Sequence, residues 1–185
     1  MPKELVNLPS GFQIEIISFG GLDSHAGHLH LKRSPKKIPE ATRQKFENAY
    51  ETFLPFQIIP TLSSFLKDSI SSFDTFIVLP SSSDDADPYV AALFDDVGWR
   101  DISDRFVKKD GYKAAYNARE YERTYEAISY NPDGFENTIQ KLLIFDESFS
   151  TGGSVDAVIR RLRDSGMPES AQVTLVAPLR LKPKP

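Results

Sequence analysis

The 185-residue chain contains no cysteine. That excludes disulfides, thiolate catalysis and cysteine-ligated metal. No apolar run reaches membrane-spanning length, and the first residues, MPKELVNLPSG, lack the apolar core of a secretion signal. A cytoplasmic protein without membrane partners is the expectation. Two catalytic signatures are also missing. The absence of G-x-x-x-x-G-K-[ST] excludes a nucleoside-triphosphate P-loop, and the absence of G-x-S-x-G removes Ser150 as a hydrolase nucleophile. Excess positive charge is lacking too: 22 Lys and Arg stand against 26 Asp and Glu, a net −4 that argues against a general nucleic-acid coat. Local basic clusters at Lys32, Arg33, Lys36 and Lys37, and at Arg180, Lys182 and Lys184, read as solvated surface.

What is present supports one domain with a core, since 40% of the residues are hydrophobic. Strand composition marks 12–21, 73–80 and 171–179, with a short strand at 101–109 and an apolar run at 142–145. Helical spacing marks Phe46 to Leu54, 60–71, 89–97 and Val155 to Leu162, the last ending at a capping Gly166. The polar, aromatic-rich stretch 111–130 reads as helical in part. Strands alternating with helices predict an α/β fold with a largely parallel sheet. In such sheets ligands bind beyond the carboxyl ends of strands, at a topological switch point. The loops after Leu79 and after Phe145 both follow such ends.

The second of these loops carries the chemistry. In KLLIFDESFSTGGSV, four apolar residues, Leu142 to Phe145, lead into Asp146 and Glu147, then a hydroxyl-and-glycine turn, then a helix. Backbone amides in a tight turn feeding a helix form an anion pocket. Gly152 and Gly153 permit positive φ and close approach, and Ser148, Ser150, Thr151 and Ser154 add hydroxyl donors. Two carboxylates would repel a phosphate, so they suit sugar hydroxyls or a hydrated Mg²⁺ instead. A ligand with a phosphate at one end and a diol at the other, such as ribose 5-phosphate, satisfies both halves.

The stretch Leu142–Leu143–Ile144–Phe145, Asp146–Glu147, Ser148–Phe149–Ser150–Thr151–Gly152–Gly153–Ser154 resembles the ribose-phosphate motif of type I phosphoribosyltransferases at all thirteen positions. More broadly, residues 57–179 resemble the competence-protein ComF-like branch of that family. FIVLPSSSDDADPYVAAL lies where the branch has its strand, diphosphate loop and helix, and YNAREYERTYEAI where it has an arginine-bearing flexible loop. The resemblance implies a parallel-sheet core over 39–179 with helices on both faces, a small N-terminal hood over 1–38 and a tail at 180–185. It implies Mg²⁺-dependent transfer of a 5-phosphoribosyl group from phosphoribosyl diphosphate to a nucleobase-like nitrogen acceptor, in nucleotide metabolism, and allows a homodimer.

On that resemblance Asp146 and Glu147 are catalytic and meet Mg²⁺ through water or substrate. Ser148, Phe149, Ser150, Thr151, Gly152, Gly153 and Ser154 hold the 5-phosphate, while Ser81, Ser82 and Ser83 contact diphosphate. Arg119 and Arg123, four apart on one side of a helix, suit a diphosphate clamp. One departure stands out: the diphosphate loop continues into Asp84 and Asp85. Either it binds metal-complexed diphosphate, or the chain is a non-catalytic domain that senses phosphoribosyl diphosphate or a nucleotide. A phosphohydrolase using Asp146 and Glu147 has no further metal ligand placed beside them. The spacing of His25, His28 and His30 could make a metal site, with His28 and His30 on one face of a strand, but without cysteines or a nearby acid cluster they read as a hairpin or loop near the substrate entrance. Tyr112, Tyr116, Tyr121 and Tyr125 read equally as a packed helix face or a closing loop that stacks on substrate.

Overall fold

A computed structural model describes residues 3–18, 39–41, 44, 59–69, 71–80, 94, 97–109, 121–146, 148–149, 151–177 and 179–180. Among these, strands β1 (Lys3–Asn7), β2 (Gln13–Ser18), β3 (Thr75–Val78) and β4 (Arg100–Asp101) belong to one main sheet. Strands β5 (Phe106–Lys108) and β6 (Ile128–Tyr130) form a separate antiparallel ribbon. Strands β7 (Lys141–Phe145) and β9 (Gln172–Ala177) complete the main sheet, while β8 (Ser148–Phe149) and β10 (Leu179–Arg180) pair in parallel beside it. The helices used below are α1 (Ile59–Ser69), α2 (Tyr121–Ala127) and α3 (Gly153–Asp164). Main-sheet order is β1-β2-β9-β7-β3-β4, antiparallel between β1 and β2 and parallel at every other pairing. The expected α/β class with a largely parallel sheet is what is found.

Period-two alternation sends successive side chains of β7 to opposite faces of the sheet, and from Leu142 to Phe145 both sets are apolar and buried. Leu142 and Ile144 of β7 join Ile77, Leu175, Val158 and Leu162 in a core on the α3 face. Leu143 and Phe145 join Phe76, Val176, Leu62 and Leu66 in a second core on the α1 face. A strand covered by helices on both faces has no position to spare for a polar side chain. Leu142, Leu143 and Ile144 are 0% exposed, and burying each contributes about 1.5–3 kcal/mol. On the α1 face the rings of Phe76 and Phe94 stack at 4.8 Å and Phe94 meets Phe145 at 6.0 Å.

The helix after the acidic pair behaves as its spacing requires. Val155, Val158, Ile159 and Leu162 are all buried. Its end is closed by Gly166 at φ 106°, with Gly166 N–H donating to Arg163 O at 3.0 Å and Met167 N–H to Leu162 O at 2.9 Å. Those two bonds are a Schellman motif, which needs a left-handed residue where glycine stands.

Three segments differ from the sequence expectation. Residues 3–18, placed in a hood, supply two strands of the main sheet, and Ile14, Ile16 and Ile17 enter its cores; residues 19–38 lie outside the described residues. β1 has little strand character, and Leu5 is 66% exposed; it is a strand because the turn at Leu8–Phe12 folds it onto β2. The stretch 101–109 is two strands. The Asp101 carboxylate accepts from Ser103 N at 2.8 Å and Ser103 Oγ at 2.5 Å, a local side-chain turn that diverts the chain through a 3₁₀ turn (Ser103–Arg105) into β5. Finally, 111–130 ends in a strand, β6, whose only local signal is three residues, ISY; pairing with β5 decides it.

Candidate active site

β3 and β7 are neighbours and parallel, in register from Thr75↔Leu142 to Val78↔Phe145. From β3 the chain moves to β4 on one side, and from β7 through α3 to β9 on the other. The main sheet therefore has its switch point between these two strands, and in open α/β sheets ligands bind at the strands' carboxyl ends there. Leu79 N–H still pairs with Phe145 O at 2.9 Å, so Pro80 and Asp146 leave the sheet side by side. Ser81, Ser82 and Ser83 follow immediately and lie outside the described residues, as do Glu147 and Ser150.

Asp146 is half-buried at the tip of β7, its N–H donating to Val176 O at 3.1 Å. The loop beyond it is held in three ways. First, β8 pairs with β10, Ser148 opposite Leu179 and Phe149 opposite Arg180. Second, Phe149 is a core side chain, 3% exposed; of this expected substrate contact, only the backbone can face a ligand. Third, Gly152 sits at φ 80°, with Leu8 Cδ2 2.8 Å and the Phe149 ring 3.0 Å from where a β-carbon would be. Gly152 thus has no side chain because the protein itself fills that space. Thr151 and Ser154 are half-buried beside it, and Gly153 opens α3. Because the N-cap residue is Gly152, α3 begins with no side-chain cap, and its first amides have no partner four residues back. The macrodipole adds positive potential at that end.

Around the helix start lie groups that the linear chain does not point out. Asp156, 2% exposed, accepts from Ser10 N at 3.1 Å and from Ser10 Oγ at shorter range. From the ribbon, Phe106 and Lys108 share the face turned toward the body while Val107 is 59% exposed. Lys108 is half-buried: burial pushes its pKa below the ordinary lysine value of 10.5, and attraction to Asp146 offsets part of that. A lysine therefore lies within electrostatic reach of the first acid of the pair, although none lies in the loop itself. Only the alternation Phe106, Lys108 hinted at a shared face; the register that brings it to Asp146 is tertiary.

α2 docks on α3 through Tyr125, whose ring lies 4.1 Å from the Arg160 guanidinium carbon and 3.9 Å from that of Arg161, and whose hydroxyl bonds Asp164. Arg161 also donates to Ile128 O at 3.0 Å and Tyr125 O at 2.9 Å, closing the end of α2. Tyr125 is therefore a packing residue. Arg123 of α2 is exposed, while Arg119, Tyr112, Tyr116 and the three histidines lie outside the described residues. Among the described residues no three His, Asp or Glu side chains converge as a metal cage. Nor is any helix long and apolar enough to cross a membrane.

No family model and no curated protein matches this chain. Among solved structures, a crystal structure of an adenine phosphoribosyltransferase is similar over 97% of this chain and 85% of that one, at 15% identity and a TM-score of 0.41. A likeness that loose carries no argument, and the case for the site is its own geometry.

Proposed function

We propose that the loop after β7 binds a ribose 5-phosphate group and that the protein transfers a 5-phosphoribosyl group from phosphoribosyl diphosphate to a nitrogen acceptor. The observation that carries this reading is Asp146 at the tip of β7, beside the switch point between β3 and β7, with the uncapped start of α3 following it in the chain. The amides of α3 and the hydroxyls of Thr151 and Ser154 take the 5-phosphate, and Asp146 and Glu147 take the ribose diol. In the transfer the bond from the anomeric carbon to the diphosphate oxygen breaks, a carbon–nitrogen bond forms, and the acceptor nitrogen loses a proton. The ribose gains oxocarbenium character, which the two carboxylates favour electrostatically. Their donor set fits Mg²⁺ held by one or two carboxylates together with water and substrate oxygens. An ion held by them would supply charge neutralisation for the diphosphate leaving group. Lys108, within electrostatic reach of Asp146, is the cation that the loop lacks and contributes to the same anion. A homodimer and a nucleobase-like acceptor complete the reading.

Asp84 and Asp85 favour a second reading, a domain that binds the same ligands and controls a partner without turnover. Diphosphate release measured beside calorimetry separates the two. Asp146→Asn and Glu147→Gln keep shape and remove charge that matters most in the transition state. A transferase loses about tenfold to a hundredfold in turnover from each, with a smaller change in affinity. A parent without turnover, in which the same variants only weaken binding, is the sensing domain. Turnover left intact by both substitutions removes the acids from the mechanism, and no binding of phosphoribosyl diphosphate or a ribonucleoside 5′-monophosphate at millimolar concentration sinks both readings.

A further inference from the structure

The turn between β1 and β2 is far from the motif in sequence yet touches it twice. Its backbone is closed by Leu8 N–H to Phe12 O at 2.7 Å and Gly11 N–H to Leu8 O at 2.9 Å. From this turn Ser10 donates both its amide and its hydroxyl to one oxygen of Asp156, 146 residues away. Asp156 lies in the first turn of α3, and its own N–H makes the helix's opening bond, to Gly152 O at 2.8 Å. Leu8 reaches the same place from the other side, its methyl filling the space beside Gly152. Both ends of that opening bond are therefore clamped by one exposed turn.

A buried carboxylate next to an anion subsite is unfavourable unless something holds it and partners its charge. Ser10 does so with two donors. Gly152 and Asp156 flank Ser154 and the first α3 amides in the chain, so a shift of the helix start re-aims those amides directly. We infer that the β1–β2 turn is part of the phosphate subsite's frame: Ser10 and Leu8 are positioning residues that hold Asp156 and Gly152, and so keep the first amides of α3 aimed at the 5′-phosphate. This rests on the phosphoribosyl reading above, and it gives the N-terminal hairpin a role at the phosphate rather than as a cover for the acceptor.

The test compares a ribonucleoside 5′-monophosphate with the matching nucleoside, by calorimetry on the full chain. Ser10→Ala loses one hydrogen bond to a charged group, and the monophosphate should bind about fivefold to tenfold more weakly while the nucleoside is unchanged. Ser10→Thr restores the hydroxyl and with it the parental ratio. Asp156→Asn keeps an acceptor for Ser10 and removes a negative charge, so it binds the monophosphate at least as well as the parent. Equal weakening of both ligands in Ser10→Ala would mean a general structural role and overturn the inference, as would an unchanged ratio. A parent that binds neither ligand overturns the phosphoribosyl reading itself, whereas a binding parent with an insensitive Ser10 overturns this inference alone.

Discussion

Replacing Gly152 by alanine meets two separate obstacles, and they can be measured apart. The first is backbone: φ is 80°, and a β-carbon in the left-handed region costs about 1–2 kcal/mol. The second is space. The new methyl would stand 2.8 Å from Leu8 Cδ2 and 3.0 and 3.2 Å from two atoms of the Phe149 ring; overpacking of this kind costs about 1–3 kcal/mol. Gly152→Ala should therefore lose about 2–5 kcal/mol of stability. Leu8→Ala, at a side chain 4% exposed, loses a comparable about 2–5 kcal/mol through its cavity. Combining them removes the closest clash, so the double variant should be about 1–2 kcal/mol more stable than the sum of the two losses, while the backbone cost stays. Equilibrium urea unfolding of parent, both single variants and the double variant measures this coupling, provided the m-values agree. The reasoning is refuted if Gly152→Ala falls within about 0.5 kcal/mol of the parent, or if the two losses simply add. A glycine kept only for a ligand's close approach would show the backbone cost alone in the free protein and no coupling to Leu8, so the same data decide why this glycine is there.

Two further outcomes follow from charge. Lys108 has a lowered pKa, chiefly through burial with Asp146 opposing it, so its charge costs stability at neutral pH; the cost fades as pH rises from the lowered folded value towards 10.5. Lys108→Met should melt higher than the parent at pH 7, lose that advantage in alkali, and bind phosphoribosyl diphosphate more weakly; a variant less stable than the parent at pH 7 contradicts the sign. Burial alone would raise the pKa of Glu136, but hydrogen bonds from the Tyr130 hydroxyl at 2.5 Å and from backbone amides, Asp133 N–H at 3.0 Å among them, outweigh it and hold the carboxyl below its ordinary 4.5. Its contribution is present above the unfolded value and lost as pH falls through the folded one. Glu136→Gln should cost about 1.5–3 kcal/mol near neutrality, and the gap from the parent should close below pH 4.5; thermal melts showing a constant gap across that range would refute it.

Composition and periodicity alone determined the class of fold, the two-sided burial of β7 and the span of α3 with its glycine stop. Those features depend on which residues lie three, four or two apart, and a linear reading carries that information in full. The thirteen residues from Leu142 to Ser154 also set out acids, hydroxyls and glycines in the order that the proposed binding of a ribose 5-phosphate would use them. What lies across the site was not legible. β1 and β6 exist because a partner strand offers hydrogen bonds, and neither has a side-chain pattern strong enough to announce itself. Lys108 comes within electrostatic reach of Asp146, and Ser10 bonds Asp156, across 38 and 146 residues of chain, through strand register and helix docking. Gly152 is the sharpest instance. A glycine after hydroxyls reads as room for a phosphate, and only the packed structure puts Leu8 and Phe149 into that room. Local order follows from the backbone's short-range preferences, whereas the neighbours of a site are chosen by burial, which brings distant segments together only once the whole core forms.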